Sequence, residues 1–213
     1  ATPRLFSDNV ISSANEKGEL VYSMDDEEFY GRAFYILTFS SAVKKGLLSD
    51  YRIVVTGVTN EELNKFIKSE TVVNLEDELV DEIKTLSAKI AFLKTIVKYD
   101  LSKIITYHSS IDKALGYTNE SNERSLLSIN TLLKKEIKNY RDLSVRHLNG
   151  YLPSSKRNAI LNELKKTPKS QVNIITNVAC LTEGVDVPDL DCVCFFDSKE
   201  SIIDIVQATG RVL

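Results

Sequence analysis

The residues best suited to handle a phosphorylated ligand lie between Asn173 and Leu213. Glu183-Gly184-Val185-Asp186-Val187-Pro188 sets a glycine two residues before a carboxylate. Gly184 lets the backbone approach a ligand closely or take a positive φ. The Asp186 carboxylate can accept from a hydroxyl such as a ribose hydroxyl, and Pro188 stiffens the exit of the turn. Further on, Gln207-Ala208-Thr209-Gly210-Arg211 puts a fixed positive charge directly after a glycine at a helix end. A guanidinium there is well shaped to meet phosphate oxygens. Taken singly these features are common: Gly-x-Asp-x-Pro is most often a turn.

Other groups carry less chemistry. His108 and His147 lie far apart, with no Cys or acidic partner at metal spacing, and read as structural. Cys192 and Cys194 stand two apart in an apolar run, so a strand would point both to one face as buried thiols in a reducing cytosol. Asp25-Asp26-Glu27-Glu28 reads as a solvated acidic loop, because no buried strand leads into it. No Gly-x-x-x-x-Gly-Lys-Ser/Thr phosphate cradle occurs in the chain. The net charge of -3 does not announce nucleic-acid binding. Locally, however, ten Lys or Arg stand against three Asp or Glu from Leu133 to Ser170. On charge alone these are solvated helix faces.

These residues need elements to position them. At 43% hydrophobic and 27% charged residues, the chain has the balance of a soluble globular protein with a sizeable core. No apolar run approaches membrane-spanning length and no signal peptide is evident, so a cytoplasmic location without membrane partners is expected. Residues 1 to about 30 read as an irregular connector. Phe39–Gly46 reads as a short helix, capped by Ser40 or Ser41 and ended by Gly46, and Tyr51–Val58 as a β-branched strand. Helical spacing of Leu79, Val80, Ile83, Leu86, Ile90, Leu93, Ile96 and Val97 predicts a long amphipathic helix over Glu76–Tyr99. After it, strands at Lys103–Tyr107, Leu143–His147, Val172–Thr176 and Asp191–Phe196 alternate with helices at Ile111–Leu115, Leu126–Tyr140 and Pro153–Lys166 and one starting at Ile202. Gly116–Glu123 reads as a loop. Such alternation predicts one parallel sheet covered on both faces, with ligand loops at the strand carboxyl ends.

With the elements in place, "TNVACLTEGVDVPDLDCVCFFD" followed by "DIVQATGRVL" resembles motifs V and VI of superfamily 2 helicases, especially the restriction-type and predicted-helicase branch. "ATPR" at the start resembles the tail of motif III, which ends the first motor lobe. "KIITYHSSIDKA" resembles motif IV and "VRHLNGYLPSSKR" motif IVa. "YGRAFYILTFSSAVKKGLLSDYRIVV" resembles the segment by which this branch passes into its second lobe. The resemblance is sparse between residues 58 and 100. Both ends look like cuts through a longer protein, and the motif VI pattern would place a further arginine one position beyond Leu213.

The resemblance implies an α/β fold, a RecA-like three-layer sandwich with a mostly parallel central sheet. Residues 1–49 would be the connector from the first lobe and 50–213 the second motor lobe. Its cofactor would be ATP with Mg²⁺, bound mainly by a first RecA-like lobe that is its partner. Carried over by motif, Arg211 would act catalytically at the γ-phosphate and Gln207 from the nucleotide side, and Gly184 and Asp186 would complete the nucleotide contacts. Ser109, Gly150 and Arg157 would grip the nucleic-acid backbone, together with Thr176 or Thr182. By themselves Ser109 reads as a helix cap, Gly150 as a turn and Arg157 as a solvated charge. The implied function is a DNA helicase or translocase, favoured by the restriction-like motif V on analogy alone. An RNA helicase lobe and a catalytically silent RecA-like scaffold are the alternatives, and retention of Asp186, Gln207 and Arg211 weighs against the scaffold.

Overall fold

The computed structural model describes residues 27–61, 78–118, 125–133, 141–178, 181, 190–199, 201–210 and 212. Four strands, β1 (Lys103–Tyr107), β2 (Asp142–His147), β3 (Gln171–Asn177) and β4 (Cys192–Phe195), form one sheet in the order β2-β3-β1-β4. Every pairing is parallel, with Ile104 opposite Ile174 and Cys192, and Val145 opposite Ile174. The four strands expected after residue 100 therefore share one sheet. A parallel sheet needs apolar residues on both faces, and the strands supply them by simple alternation. Ile104, Val145, Val172 and Ile174 face one core, with Ile90, Leu93 and Ile96 of α3 (Glu78–Lys98) and Leu126, Ile129 and Leu133 of α5 (Leu126–Leu133). Ile105, Tyr107 and Ile175 face the other, with Leu161 and Leu164 of α6 (Ser154–Lys165) and Ala208 of α7 (Ile202–Thr209). The result is helix, sheet, helix: the three-layer RecA-like sandwich.

α3 lies within the range its periodicity predicts. Between β1 and α5, α4 (Ile111–Thr118) runs past the expected Leu115 and takes in Gly116 and Tyr117. A mid-helix glycine costs about 1 kcal/mol, but continuing the helix buries Tyr117 against the His108 ring, 4.6 Å between centroids. The rest of that expected loop and the expected helical residues 134–140 lie outside the described residues. Pro153 occupies the N-cap of α6 in an extended conformation, one residue ahead of the helix.

The amino-terminal part departs further from expectation. α1 (Glu27–Tyr30) interrupts the expected irregular connector, whose residues 1–26 lie outside the described residues. α2 (Phe39–Lys44) forms, but its N-cap is Thr38, whose Oγ1 accepts the Ser41 N–H at 3.2 Å, in place of Ser40 or Ser41. Gly46 ends it at φ +68°, with the Leu47 N–H donating to the Ala42 carbonyl. Tyr51–Val58 is not a strand: it pairs with no strand among the described residues, and Ile53 and Val55 are 82% and 94% exposed. β-branched composition reports fitness for a pleated, half-buried surface, and this segment has no such surface to join. Val58 alone reaches the core.

The amino ends of the strands are tied tightly. The Asp191 carboxylate, just ahead of β4, accepts the N–H groups of Ser102 and Lys103 at 2.7 and 2.9 Å. The Arg141 guanidinium donates to Ser102 Oγ at 2.7 Å and to the Leu101 carbonyl, and pairs with Asp100 at 3.2 Å.

Candidate nucleotide and nucleic-acid interface

From β1 the chain travels past β3 to reach β2; from β3 it travels past β1 to reach β4. The connections leaving β1 and β3 thus run in opposite directions along the sheet, and at such a reversal open α/β sheets place their ligand crevice outside the strand carboxyl ends.

The floor at these strand ends is polar and buried. Thr106 and Thr176 are register partners on β1 and β3, and both are fully buried. Thr106 Oγ1 lies 2.9 Å from His108 Nε2, and Thr176 Oγ1 lies 3.0 Å from His147 Nδ1. His108 stacks on Phe196, 5.2 Å between ring centroids. Burial lowers the His108 pKa to about 4 against the opposing charge of Asp197. Burial also lowers that of His147, against a hydrogen bond to the Thr176 backbone that favours the charged ring. Both rings are thus neutral near pH 7. Among the described residues His108 Nδ1 and His147 Nε2 have no hydrogen-bond partner. Asn177, also fully buried, gives its carbonyl to the His108 N–H at 2.9 Å.

Ser109 is exposed at the end of β1. Gly150 sits in the exposed turn after β2, where an added Cβ would meet nothing within 4 Å. Arg157 lies in the first turn of α6 with its Nη2 3.2 Å from Ser154 Oγ. Gln207 is half-buried on α7. Thr176 is brought to the crevice, but beneath its surface. Thr182, Gly184, Asp186 and Arg211 lie outside the described residues.

One carboxylate at this end was missed by sequence reasoning. Asp197, two residues past β4, accepts the Ser109 N–H at 2.7 Å through Oδ2 and the Lys113 ammonium at 2.8 Å through Oδ1. Burial would raise its pKa, but hydrogen bonds from Lys113 and from the backbone and side chain of Ser109 win and hold it below the usual value. The available signal was an acidic residue closing an apolar strand, in the run Cys194-Phe195-Phe196-Asp197.

Cys192 and Cys194 do face the same core. They are half-buried because β4 lies at the sheet edge among the described strands. Burial, with Asp191 adding to the effect, pushes the Cys192 thiol up to about 11. Cys194 is pushed up to about 12, again chiefly by burial. No helix among the described residues is long and apolar enough to cross a membrane.

The fold is similar to that of known proteins. Among solved structures, the chain is similar to an ATP-dependent Type ISP restriction-modification enzyme, LlaBIII, bound to DNA. The identity is 25% with a TM-score of 0.68, over 94% of this chain and 14% of that one. The chain therefore spans about a seventh of that enzyme's length. Two further matches are the Pyrococcus furiosus Hef helicase domain, at 23% identity, TM-score 0.38, 60% of this chain and 22% of that one, and the Sulfolobus solfataricus SWI2/SNF2 ATPase C-terminal domain, at 15% identity, TM-score 0.36, 80% of this chain and 62% of that one. No curated protein matches the sequence. The family model for the helicase conserved C-terminal domain matches residues 88–213, more than half of the chain and all four strands. The chain belongs to that family, and its fold is the C-terminal RecA-like lobe of a superfamily 2 helicase.

Proposed function

We propose that this chain is the second motor lobe of an ATP-dependent DNA helicase or translocase. It would close on ATP and Mg²⁺ held mainly by a first RecA-like lobe of the same protein. One observation carries the reading: the segments resembling the helicase contact motifs follow the carboxyl ends of a parallel sheet whose connections diverge between β1 and β3. In this reading residues 1–49 are the connector and 50–213 the lobe.

Arg211 faces the γ-phosphate, Gln207 the nucleotide side of the cleft, and Gly184 and Asp186 the ribose. A guanidinium that reaches the phosphoryl oxygens only on closure stabilises charge as it develops, so it acts on the transition state more than on ATP binding. Gly150, Arg157 and the end of β1 at Ser109 line the nucleic-acid side. Of the two threonines, Thr182 is the better phosphate contact, because the Thr176 hydroxyl is buried and already engaged by His147. The basic surplus between Leu133 and Ser170 supplies the local field on an otherwise acidic chain. DNA is favoured over RNA because the restriction enzyme of similar fold is a DNA-bound one.

Two measurements test this. The 213-residue chain alone, lacking a phosphate loop, should show no Mg²⁺-dependent ATP turnover. The full-length protein should hydrolyse ATP faster with DNA than with RNA of equal length. Stimulation by RNA alone would move the assignment to an RNA helicase. Failure to bind ATP or either nucleic acid would leave a scaffold as the function.

A further inference from the structure

A phosphate grip needs hydrogen-bond donors that the protein has not already engaged. Ser109 meets this requirement poorly. Its backbone N–H is taken by Asp197 Oδ2, 2.7 Å away. Its hydroxyl is neutral and offers a single proton, with no charge to draw in a phosphate. Four residues on, in the first turn of α4, Lys113 has the opposite character. Its ammonium touches Asp197 Oδ1 at 2.8 Å, and its side chain is 58% exposed. An ammonium has three protons, and among the described residues Asp197 is the only carboxylate that Lys113 pairs with.

The surroundings hold this lysine in place. The Lys113 backbone N–H donates to Ser110 Oγ at 3.2 Å and the Ala114 N–H to the Ser110 carbonyl at 3.1 Å, fixing the first turn of α4 to the end of β1. Asp197 leaves β4, the parallel neighbour of β1, so one carboxylate ties together the ends of both strands and the lysine. Ser109 contributes by helping to fix the carboxylate that aims Lys113.

We propose that Lys113 is the residue that contacts nucleic-acid phosphate at the end of β1, with Asp197 and Ser109 as its positioning pair. The proposal rests on the nucleic-acid reading of this face and moves the contact from Ser109 to a residue that the motif comparison did not single out. Lys113 would recognise the backbone of a single strand by charge, without regard to sequence.

The test is binding of the full-length protein to a fluorescent single-stranded DNA oligonucleotide over a salt series, with melting temperature measured on each variant. Lys113→Ala should weaken binding and reduce the slope of log affinity against log salt by roughly 0.7, the loss of one phosphate contact on a single strand. Lys113→Arg should restore the slope. Ser109→Ala removes no charge, so its share is read as affinity at fixed salt, where it should weaken binding less than Lys113→Ala does. The losses from Asp197→Ala and Lys113→Ala should not add in the double variant, since the two act as a unit. If Ser109→Ala weakens binding at fixed salt while Lys113→Ala leaves both affinity and slope intact, the assignment to Lys113 is overturned and the nucleic-acid reading stands. If Lys113→Ala lowers the melting temperature with the slope intact, the lysine is structural and the proposal fails. Binding by the unaltered protein that is indifferent to salt would bring down both the proposal and the reading beneath it.

Discussion

An aspartate reaches from β4 to β1 at each end of the sheet. At the amino-terminal end Asp191 accepts two backbone N–H groups, from Ser102 and Lys103. At the carboxyl-terminal end Asp197 accepts one backbone N–H, from Ser109, and an exposed lysine. The first arrangement engages main-chain donors that would otherwise face solvent at the start of a strand, and nearby Arg141 fixes the chain around Ser102. The second ties a loop end to a charge that still faces outward. The same device on the same pair of strands closes one end of the fold and leaves an exposed charge at the other. Variants at the carboxyl end should therefore change turnover and binding, and variants at the amino end should change stability alone.

The largest effect expected on this basis is at Arg211 in the full-length protein. An arginine acting on the γ-phosphate across a cleft is worth on the order of a thousandfold or more in rate. Arg211→Ala should therefore cut ATP turnover by at least about a hundredfold, allowing for a second arginine that shares the work. Affinity for ATP and DNA should change far less. Arg211→Lys should rescue little, because a point charge cannot replace the planar fork. Single-turnover hydrolysis and melting temperature on one sample decide the matter. A destabilised variant with normal turnover per folded molecule would make Arg211 a structural residue.

Asp191→Ala supplies the contrast. Loss of its carboxylate releases two main-chain donors at the head of β1 and should lower the melting temperature, at about 2–4 °C for each kcal/mol removed in a domain of this size. Turnover and the salt dependence of DNA binding should stay as they were. A change in salt slope for Asp191→Ala equal to that for Lys113→Ala would erase the distinction between the two ends.

The fold was legible where one physical signal dominates. Strand alternation at Ile104-Ile105 and Ile174-Ile175 and helical spacing from Ile83 to Val97 each follow from two buried faces or one buried stripe, and the elements lie where those patterns put them. Tyr51–Val58 was misread because its composition describes a strand while pairing depends on a neighbour that composition does not reveal. α4 was placed too short because Gly116 looks like a stop until the burial of Tyr117 is known. At the candidate site, motif spacing brought out Ser109, Gly150, Arg157 and Gln207. It did not bring out Asp197 and Lys113, whose link joins residues 84 apart in sequence. Nor could the sequence show that Thr176 has its hydroxyl turned to His147 beneath the surface.

A smaller effect, one of pH, comes from the floor of the carboxyl end. His108 is neutral in the folded chain down to about pH 4, whereas an unfolded histidine takes up its proton near 6.5. Between those values the unfolded state binds more protons, so stability rises with pH across the window and falls as the solution is acidified. Burial of His147 acts in the same direction. The lowered pKa of Asp197 matters only at more acidic values, below its ordinary 3.8, where its protonation frees Ser109 and Lys113. Melting temperature should therefore decline from pH 7 to pH 4, and His108→Asn should flatten that decline even if its absolute stability is lower. An unchanged slope in the variant would place the titration elsewhere.

The smallest change in stability is expected at Gly150, which separates binding from folding most cleanly. The turn after β2 leaves open space where a Cβ would stand, and Gly150 does not adopt a positive φ. Alanine can take up that backbone without strain, and the reduced freedom of the unfolded chain should then stabilise the protein by about 0.4–1 kcal/mol. Gly46 is a useful control: at φ +68° it ends α2, and alanine there should destabilise. If a nucleic-acid backbone passes close over the end of β2, the methyl group of Gly150→Ala will stand in its path. DNA affinity should then fall while the melting temperature holds or rises slightly. Because the variant removes no charge, the slope of affinity against salt should stay the same, unlike that of Lys113→Ala. Unchanged affinity would show that the strand does not cross the chain at Gly150. A loss of both affinity and stability would mean that the turn after β2 needs glycine for the fold, and that this part of the carboxyl end behaves like the amino end.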